Sequence, residues 1–262
     1  GYTGNVTIND ANGTGIAATD ISIIAGDTTG TVTVSNNINI TGTATAITTA
    51  VGDVNTFSGT PTATLSNAHT LAQLKTINNA IDGTITLNDV TVALSGSTAD
   101  VKAALAGTFA SAYTGNVTLS DANSTSIAAT DISTINDDTT GTITVSNAIE
   151  ITGTAAELAS AFTAIDTNTG NATASVSDNS YTVAQLKTIN NATTGAITLA
   201  TTNVALSGNS TDLAAALNGT INYTGDVTVT NSDYTVAEIA TINAGTTGAI
   251  VFSKTSLTAN IQ

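Results

Sequence analysis

The chain has 262 residues, of which 41% are hydrophobic and only 9% are charged, so it can bury a substantial apolar core. Its net charge of −15 excludes nucleic-acid binding, which requires clustered basic side chains. Cys is absent, which excludes a disulfide framework and thiolate metal sites, and no apolar stretch approaches the roughly 20 residues that span a bilayer.

The first predicted elements along the chain are a strand and a helix. Residues 3–8, T-G-N-V-T-I, alternate polar and apolar side chains, which predicts a strand with one buried face. Ala18, Ile21 and Ile24 follow at the spacing of one helix face. Gly30, in the run T-T-G, comes after this predicted helix.

Two strands and a short helix are predicted after Gly30. Residues 32–34 and 38–40 alternate as strands do, and the second strand ends at Gly42. Apolar residues four apart then predict a short helix around residues 47–51. Hydroxyl residues precede this helix in each copy and are predicted to cap it, namely Thr43, Ser97, Thr154 and Ser210.

The same order of elements recurs about every 55 residues. A glycine follows each copy of the first helix, four times in the run T-T-G, and the positions six, nine and twelve residues before it are always apolar. These anchor glycines are Gly30, Gly83, Gly141, Gly195 and Gly248. Repetition of this kind predicts supersecondary modules that each pack on their neighbours.

Each predicted module contains strand, helix, strand, strand and helix, and the whole chain is predicted to be one elongated solenoid of about 4.5 modules. Residues 5–44 return closely as residues 116–155, so two unlike modules form a superrepeat. The approximate module bounds are 1–56, 57–112, 113–167, 168–222 and 223–262.

The predicted fold class is a repeat solenoid, in which a parallel β-solenoid carries short helices in its coils. Parallel strands joined by helices cross over right-handed, which gives an α/β solenoid. A pure β-helix is the alternative, because Thr and Asn are mediocre helix formers. Neither end shows an obvious polar capping repeat, so we expect either a slice of a longer array or copies that join head to tail. The first residue, Gly1, indicates that an export signal or a longer segment has been removed.

Four acidic residues are candidate calcium ligands at predicted turns between a strand and the following helix. They are Asp10, Asp121, Asp178 and Asp233. Stacked carboxylates suit a hard cation such as calcium. Asp also forms Asx-turns and helix caps without any metal, and the pattern favours that interpretation because the calcium nonapeptide G-G-x-G-x-D is absent. No other cofactor is expected.

No catalytic residue is predicted. His69 is the only histidine and occupies the position that Tyr181 and Tyr234 hold in later modules, which indicates a substitution in an aromatic column. Lys75 and Lys187 are equivalent positions on predicted helices and are expected to be solvated, with an isopeptide crosslink to Asn or Asp as the alternative. Nucleophilic catalysis needs an activating neighbour, and the sequence indicates none.

Two further columns of polar residues recur. Amides follow the last apolar position of the first helix and are interpreted as a hydrogen-bonded ladder of amides at Asn78, Asn136, Asn190 and Asn243. Threonine pairs follow the anchor glycines at Thr31 and Thr33, Thr84 and Thr86, and Thr142 and Thr144. Flat threonine arrays order water, so ice binding is an alternative to simple stabilisation of the sheet.

The repeated pattern T-V-A-x-L/I-x-T-I-N-x-x-T-T-G, followed by a strand of Val and Ile, resembles repeats of large secreted bacterial surface proteins. These are the S-layer-like and adhesin-like proteins of cyanobacteria and marine bacteria. The resemblance implies an extracellular role at the cell surface or in a matrix and brings no catalytic residues.

The expected function is therefore that of a structural protein that assembles head to tail into a filament or surface layer. Its expected partners are further copies of itself and a cell-surface polysaccharide. The alternative function is an adhesin stalk or a ligand-binding module, including an ice-binding one, within a longer surface protein.

Overall fold

The computed structural model describes residues 1–254, and contacts between Cα atoms divide the chain into two compact units. The first comprises Gly1–Thr118 and Ile135–Thr142, and the second comprises Leu119–Thr134 and the chain from Ile143 onward. Parallel strands alternate with α-helices in both units. The α/β class is thus confirmed, and the helices rule out the all-β alternative.

The first part of the chain repeats the order strand, strand, helix four times. Its elements are β1 (Val6–Ile8), β2 (Gly15–Ala17), α1 (Ala18–Gly26), β3 (Val32–Val34), β4 (Asn39–Gly42), α2 (Ala44–Asp53), β5 (Thr56–Phe57), β6 (Thr62–Leu65), α3 (Leu71–Ala80), β7 (Ile85–Thr86), β8 (Leu94–Gly96) and α4 (Thr98–Leu105). We call each group of strands with the helix that follows it a repeat.

The remaining elements continue this order. They are β9 (Val117–Leu119), β10 (Ser126–Ala128), α5 (Ala129–Asp138), β11 (Ile143–Val145), β12 (Glu150–Gly153), α6 (Ala155–Ala164), β13 (Thr167–Asn168), β14 (Thr173–Val176), α7 (Val183–Ala192), β15 (Ile197–Leu199), β16 (Leu206–Gly208), α8 (Ser210–Leu217), β17 (Val227–Val229), α9 (Val236–Gly245) and β18 (Ile250–Phe252). The repeat of α9 has a single strand before its helix.

The repeat is about half as long as the predicted module. Helices α1, α2 and α3 begin at Ala18, Ala44 and Leu71, so each repeat takes about 27 residues. The predicted module of strand, helix, strand, strand and helix was therefore incomplete, because it lacked the short strands β2, β5, β10 and β13. One module of about 55 residues holds two repeats of unlike sequence.

Parallel sheets and a row of helices make up each unit. In the first unit the strand orders are β1-β3-β5 and β2-β4-β6-β7, and α1, α2, α3 and α4 pack in succession. In the second unit β10-β12-β14-β15 and β16-β17-β18 form sheets, β11 pairs with β13, and α6, α7, α8 and α9 pack in succession. Consecutive helices therefore lie side by side, whereas β6 pairs with β7 and β14 with β15, so that the second strand of one repeat pairs there with the first strand of the next.

The predicted apolar columns of the first helix are buried at most positions. Ile21, Leu74, Ile132 and Leu186 are completely buried, and so are Ile77, Ile135, Ile189 and Ile242. The exceptions are Ile24, Leu71, Val183 and Ile239, which are half-buried, and Val236, which is exposed. Burial of these side chains between repeats supplies the main stabilisation.

Side-chain caps begin most of the helices, whereas α1 has none. Thr43, Ser97 and Thr154 accept hydrogen bonds from backbone N–H groups of the first helical turn, as predicted. The cap of α8 is Asn209, whereas Ser210 is the first helical residue, so that prediction was off by one position. Capping boxes, which were not predicted, begin α3, α7 and α9.

Over residues 1–254, every helix is too short or too polar to cross a membrane.

Candidate functional site

The anchor glycines lie where two backbone segments touch. A Cβ atom added to Gly141 would lie 2.2 Å from the carbonyl oxygen of Gly115, in the preceding repeat. The same collision occurs at Gly30 and Gly248, against the carbonyl oxygens of Gly4 and Gly225. No side chain fits in such a gap, so these glycines set how closely consecutive repeats approach.

The first threonine of T-T-G joins the same two segments by hydrogen bonds. The Thr139 hydroxyl donates to the carbonyl oxygen of Gly115 over 2.9 Å and accepts the N–H of Gly141 over 3.0 Å. Equivalent pairs of bonds are made by Thr28, Thr193 and Thr246. Since Thr139 is buried, its hydroxyl satisfies two backbone groups that water cannot reach.

One anchor turn lacks this threonine and compensates for it. Ile81 stands at the equivalent position before Gly83 and is buried among apolar side chains. The N–H of Gly83 then donates directly to the carbonyl oxygen of Pro61 over 3.1 Å. The close approach of the backbones is kept, because a Cβ on Gly83 would lie 2.3 Å from that same oxygen.

A tyrosine two residues before a glycine forms a second contact between repeats. Tyr113 is 1% exposed, and its hydroxyl donates to the carbonyl oxygen of Val92. Tyr223 is also buried and donates to the carbonyl oxygen of Val204 over 2.7 Å. Burial raises the pKa of both tyrosines above the usual value of 10. Each ring is thus held as a neutral donor inside an interface between repeats.

Each buried tyrosine also pairs with an aromatic ring further back in the chain. Tyr113 lies with its ring centroid 6.0 Å from that of His69, and Tyr223 lies 6.4 Å from Tyr181. His69 and Tyr181 therefore hold equivalent places, in keeping with the predicted aromatic column. Tyr234, the third member of that column, packs on Phe252 with centroids 5.0 Å apart.

His69 is 4% exposed, and its ring lies beside that of Tyr113. Its Nε2 atom lies 3.5 Å from the Tyr113 hydroxyl, and its Nδ1 atom has no hydrogen-bond partner within residues 1–254. Burial lowers the pKa of His69 below 6.5, and the carboxylate of Asp89 partly opposes that shift. The side chain occupies the space of a tyrosine in the column.

Large apolar side chains are exposed on the first and last repeats. Tyr2 is 61% exposed although its equivalent, Tyr113, is buried. Phe252 is 38% exposed although its equivalent, Leu199, is buried. The other exposed large apolar residues on the described chain are Ile23, Val236 and Val251. We call the exposed side chains of the first repeat, Tyr2 and Ile23, the Tyr2 face, and those of the last repeat, Val236, Val251 and Phe252, the Phe252 face.

One of the candidate calcium ligands is a helix cap. The Oδ1 atom of Asp178 accepts the N–H of Ala155, the first residue of α6, over 3.0 Å. Asn67 and Asn231 make the same bond to the first residues of α2 and α8. Because the amide oxygens of Asn67 and Asn231 accept the equivalent hydrogen bond, this position requires an oxygen acceptor and does not require a negative charge.

The other three candidates lie in separate turns. Asp233 accepts a hydrogen bond from Asn231, and the backbone carbonyl groups of Asp10 and Asp121 accept bonds from asparagine side chains. Asp10 and Asp121 are followed by β2 and β10 rather than by a helix, so the predicted position was wrong for these two. Across residues 1–254, no cluster of three His, Cys, Asp or Glu side chains could hold a metal ion.

The two equivalent lysines form ion pairs with the next helix. Lys75 bonds to Asp100, and Lys187 bonds to Asp212. Hydrogen bonding to the lysine holds the pKa of each carboxyl group below its usual value. All four side chains are more than a third exposed, so these pairs contribute little to stability.

The asparagine column makes bonds of a different kind from those predicted. The Nδ2 atom of Asn78 donates to the carbonyl oxygen of Ala103, and that of Asn190 donates to Ala215. At both positions the amide therefore bonds to the backbone of the next helix rather than to another amide. These bonds link α3 to α4 and α7 to α8.

The predicted threonine pairs do not all lie on one sheet. Thr33 is on β3, in the sheet β1-β3-β5, whereas Thr86 is on β7, in the sheet β2-β4-β6-β7. In the sheet β2-β4-β6-β7, Thr41, Thr64 and Thr86 lie in register on three neighbouring strands. The Thr64 hydroxyl bonds to the side chain of Asn39, within the sheet.

The chain matches no protein-family model, no curated protein and no solved structure.

Proposed function

We propose that this chain is a structural protein that assembles head to tail into an extracellular filament or surface layer. In this proposal the repeats form one continuous α/β solenoid. The parallel strand pairing between repeats of about 27 residues, the helices packed in succession and the backbone contacts at the T-T-G turns support it, since each feature joins one repeat only to its neighbours.

The observation that carries the proposal is the contrast between equivalent side chains. Tyr113 and Leu199 are buried by neighbouring repeats, whereas Tyr2 and Phe252 hold the same positions and are exposed. Aromatic side chains are enriched at surfaces that bind another protein, and Tyr234 packs on Phe252, so two aromatic side chains lie together on the last repeat. Contacts between unlike surfaces on the first and last repeats are heterologous, and heterologous contacts give an open filament when the rotation between copies does not close.

Composition supports an extracellular location and a structural role. The chain contains no Cys, Met or Trp, so its side chains resist oxidation outside the cell. It also has only one His and four Lys or Arg residues, so few basic side chains are available for acid–base catalysis. A cell-surface polysaccharide stays a candidate partner.

Electron microscopy of the purified chain tests the proposal. At micromolar concentration we expect fibres or sheets by negative staining, and a species that grows with concentration in sedimentation velocity. Assembly should also occur in the presence of a chelator. Particles that remain monomeric at every concentration would contradict the proposal and favour the adhesin stalk or ligand-binding module instead.

A further inference from the structure

An aromatic pair recurs inside the chain with a fixed pattern. Its first member precedes T-L-A or T-V-A at the start of a helix, as at His69 and Tyr181. Its second member precedes T-G, as at Tyr113 and Tyr223. The two members are separated by 44 residues in the first pair, and the ring centroids lie 6.0 Å and 6.4 Å apart in the two pairs.

Two further tyrosines each match only one of the two positions of this pattern. Tyr2 precedes T-G and is equivalent to Tyr113 and Tyr223, and it is 61% exposed. Tyr234 precedes T-V-A and is equivalent to His69 and Tyr181. Tyr234 is half-buried and packs on Phe252, which is itself exposed. One repeat thus carries only the second member of a pair, and another carries only the first.

We infer that Tyr2 of one copy packs against Tyr234 of a second copy, so that the aromatic pair is completed between molecules. This inference rests on the proposed function and adds to it the residues in contact and the direction of growth. The occupant of the Tyr2 face is therefore the Phe252 face of an identical chain.

Continuity with the interfaces inside the chain supports a second copy as the occupant. β1 is the first strand in the order β1-β3-β5, and β18 is the last in the order β16-β17-β18. Both sheets are parallel, so head-to-tail copies run in the same direction as neighbouring repeats do. The Tyr2 ring already lies over Gly4 as the Tyr113 ring lies over Gly115, so its side of the contact is preformed.

Site-directed crosslinking tests the inference on a chain that contains no cysteine of its own. The variants Tyr2→Cys and Tyr234→Cys are mixed at a concentration at least tenfold above that at which the wild type assembles, because each substitution removes one of the packed rings. The mixture is treated with a short bis-maleimide and separated by denaturing electrophoresis. We expect a strong crosslinked dimer from the mixture and little from either variant alone. The double variant should give a ladder of multimers. The control replaces Tyr234→Cys by Thr163→Cys, an exposed position on α6, and should crosslink at least tenfold less.

The outcomes separate this inference from the proposed function. Assembly in the microscope without the Tyr2 to Tyr234 crosslink, or with an equally strong crosslink in the control, overturns the inference and leaves the filament proposal standing. Strong crosslinking of Tyr2→Cys with itself also overturns it, because the contact would then be head to head. A chain that remains monomeric overturns both.

A second measurement does not depend on the crosslinker. Tyr2→Ala should weaken association at least tenfold in sedimentation velocity while the unfolding midpoint of the monomer is unchanged, since Tyr2 is exposed. Tyr2→Phe should retain most of the association, because the ring that packs is kept. Equal association of the wild type and Tyr2→Ala would overturn the inference.

Discussion

At the scale of single residues, each T-T-G turn combines a glycine and a threonine with separate roles. The glycine allows backbone segments of consecutive repeats to touch, and the threonine hydroxyl bonds to both segments at the point of contact. The turn at Gly83, where Ile81 replaces the threonine, shows that the glycine is the stricter requirement of the two.

Replacing Gly141 by Ala should therefore destabilise the protein strongly. The new Cβ would lie 2.2 Å from the carbonyl oxygen of Gly115, and since that atom belongs to backbone it cannot turn aside. We expect a loss of about 3 kcal/mol in the free energy of unfolding, measured by urea denaturation. Gly52→Ala is the matched control, because nothing lies within 4 Å of the added carbon and the site is on a helix. It should stabilise by up to about 1 kcal/mol, and equal effects of the two substitutions would disprove the contact.

His69 should make stability depend on pH in the mildly acidic range. Burial lowers its pKa below 6.5, so the unfolded chain takes up the proton more readily than the folded chain does. The stability present above pH 6.5 is then lost as the pH falls from 6.5 towards the lower pKa of the folded state. The groups facing the ring are the neutral Tyr113 hydroxyl and the Asp89 carboxylate, which opposes the shift.

The variant His69→Tyr isolates this contribution, since Tyr181 fills the equivalent position. Urea midpoints of the wild type and the variant should differ more at pH 5 than at pH 7.5, with the wild type losing more stability on acidification. Titration of the many carboxyl groups is common to both proteins and cancels. Parallel pH profiles would show that His69 is not buried in its neutral form.

At the scale of elements, an acceptor in the turn after one strand caps the helix of the preceding repeat. Asn67, Asp178 and Asn231 each accept the N–H of the first helical residue. This bond joins two repeats as well as satisfying a free donor. It explains why Asp and Asn alternate at the position, and it separates the capping interpretation from the calcium interpretation.

Asp178→Asn should accordingly leave stability almost unchanged, whereas Asp178→Ala should cost about 1 kcal/mol, since only the alanine removes the acceptor. Urea unfolding of both variants, each with millimolar calcium and with a chelator, provides the measurement. A calcium ligand would behave differently: Asp178→Asn would lose a calcium-dependent stabilisation that the wild type shows.

Much of the element order could be predicted from the sequence. The columns that include Ile21 and Leu74 repeat at helical spacing, and their complete burial follows from that pattern. The strands β2 and β5 were missed, because two or three residues with one apolar side chain do not show a period of two. The repeat of about 27 residues was missed for a related reason, since adjacent repeats differ in sequence and only alternate ones match.

The site was predicted only in part. The anchor glycines and the aromatic column of His69 were visible as recurring residue types. The bond from Thr139 to Gly115 was not, because its acceptor lies 24 residues away and belongs to backbone, which carries no sequence signal. Aligning the T-T-G motifs with the preceding Y-T-G motifs could have suggested this bond, since the number of residues between the two motifs is nearly constant.

At the scale of the whole molecule, charge and apolar surface act on association in opposite directions. With 19 acidic residues against four basic ones, two copies repel each other, while the Tyr2 face and the Phe252 face attract by burying aromatic side chains. The repulsion is long-ranged and screened by salt, whereas the attraction acts only on contact. Ionic strength therefore controls which of the two prevails.

Association should strengthen several-fold as the ionic strength rises from about 0.01 M to about 0.1 M, because the Debye length falls from about 30 Å to about 10 Å over that range. Light scattering against concentration in sodium chloride measures the effect. Calcium chloride at equal ionic strength serves as the control, and the two salts should give similar curves if screening alone is responsible. An association that weakens with salt would mean that ion pairs hold the copies together. Assembly in calcium alone would mean that the cation bridges acidic side chains, and the apolar faces would then be secondary.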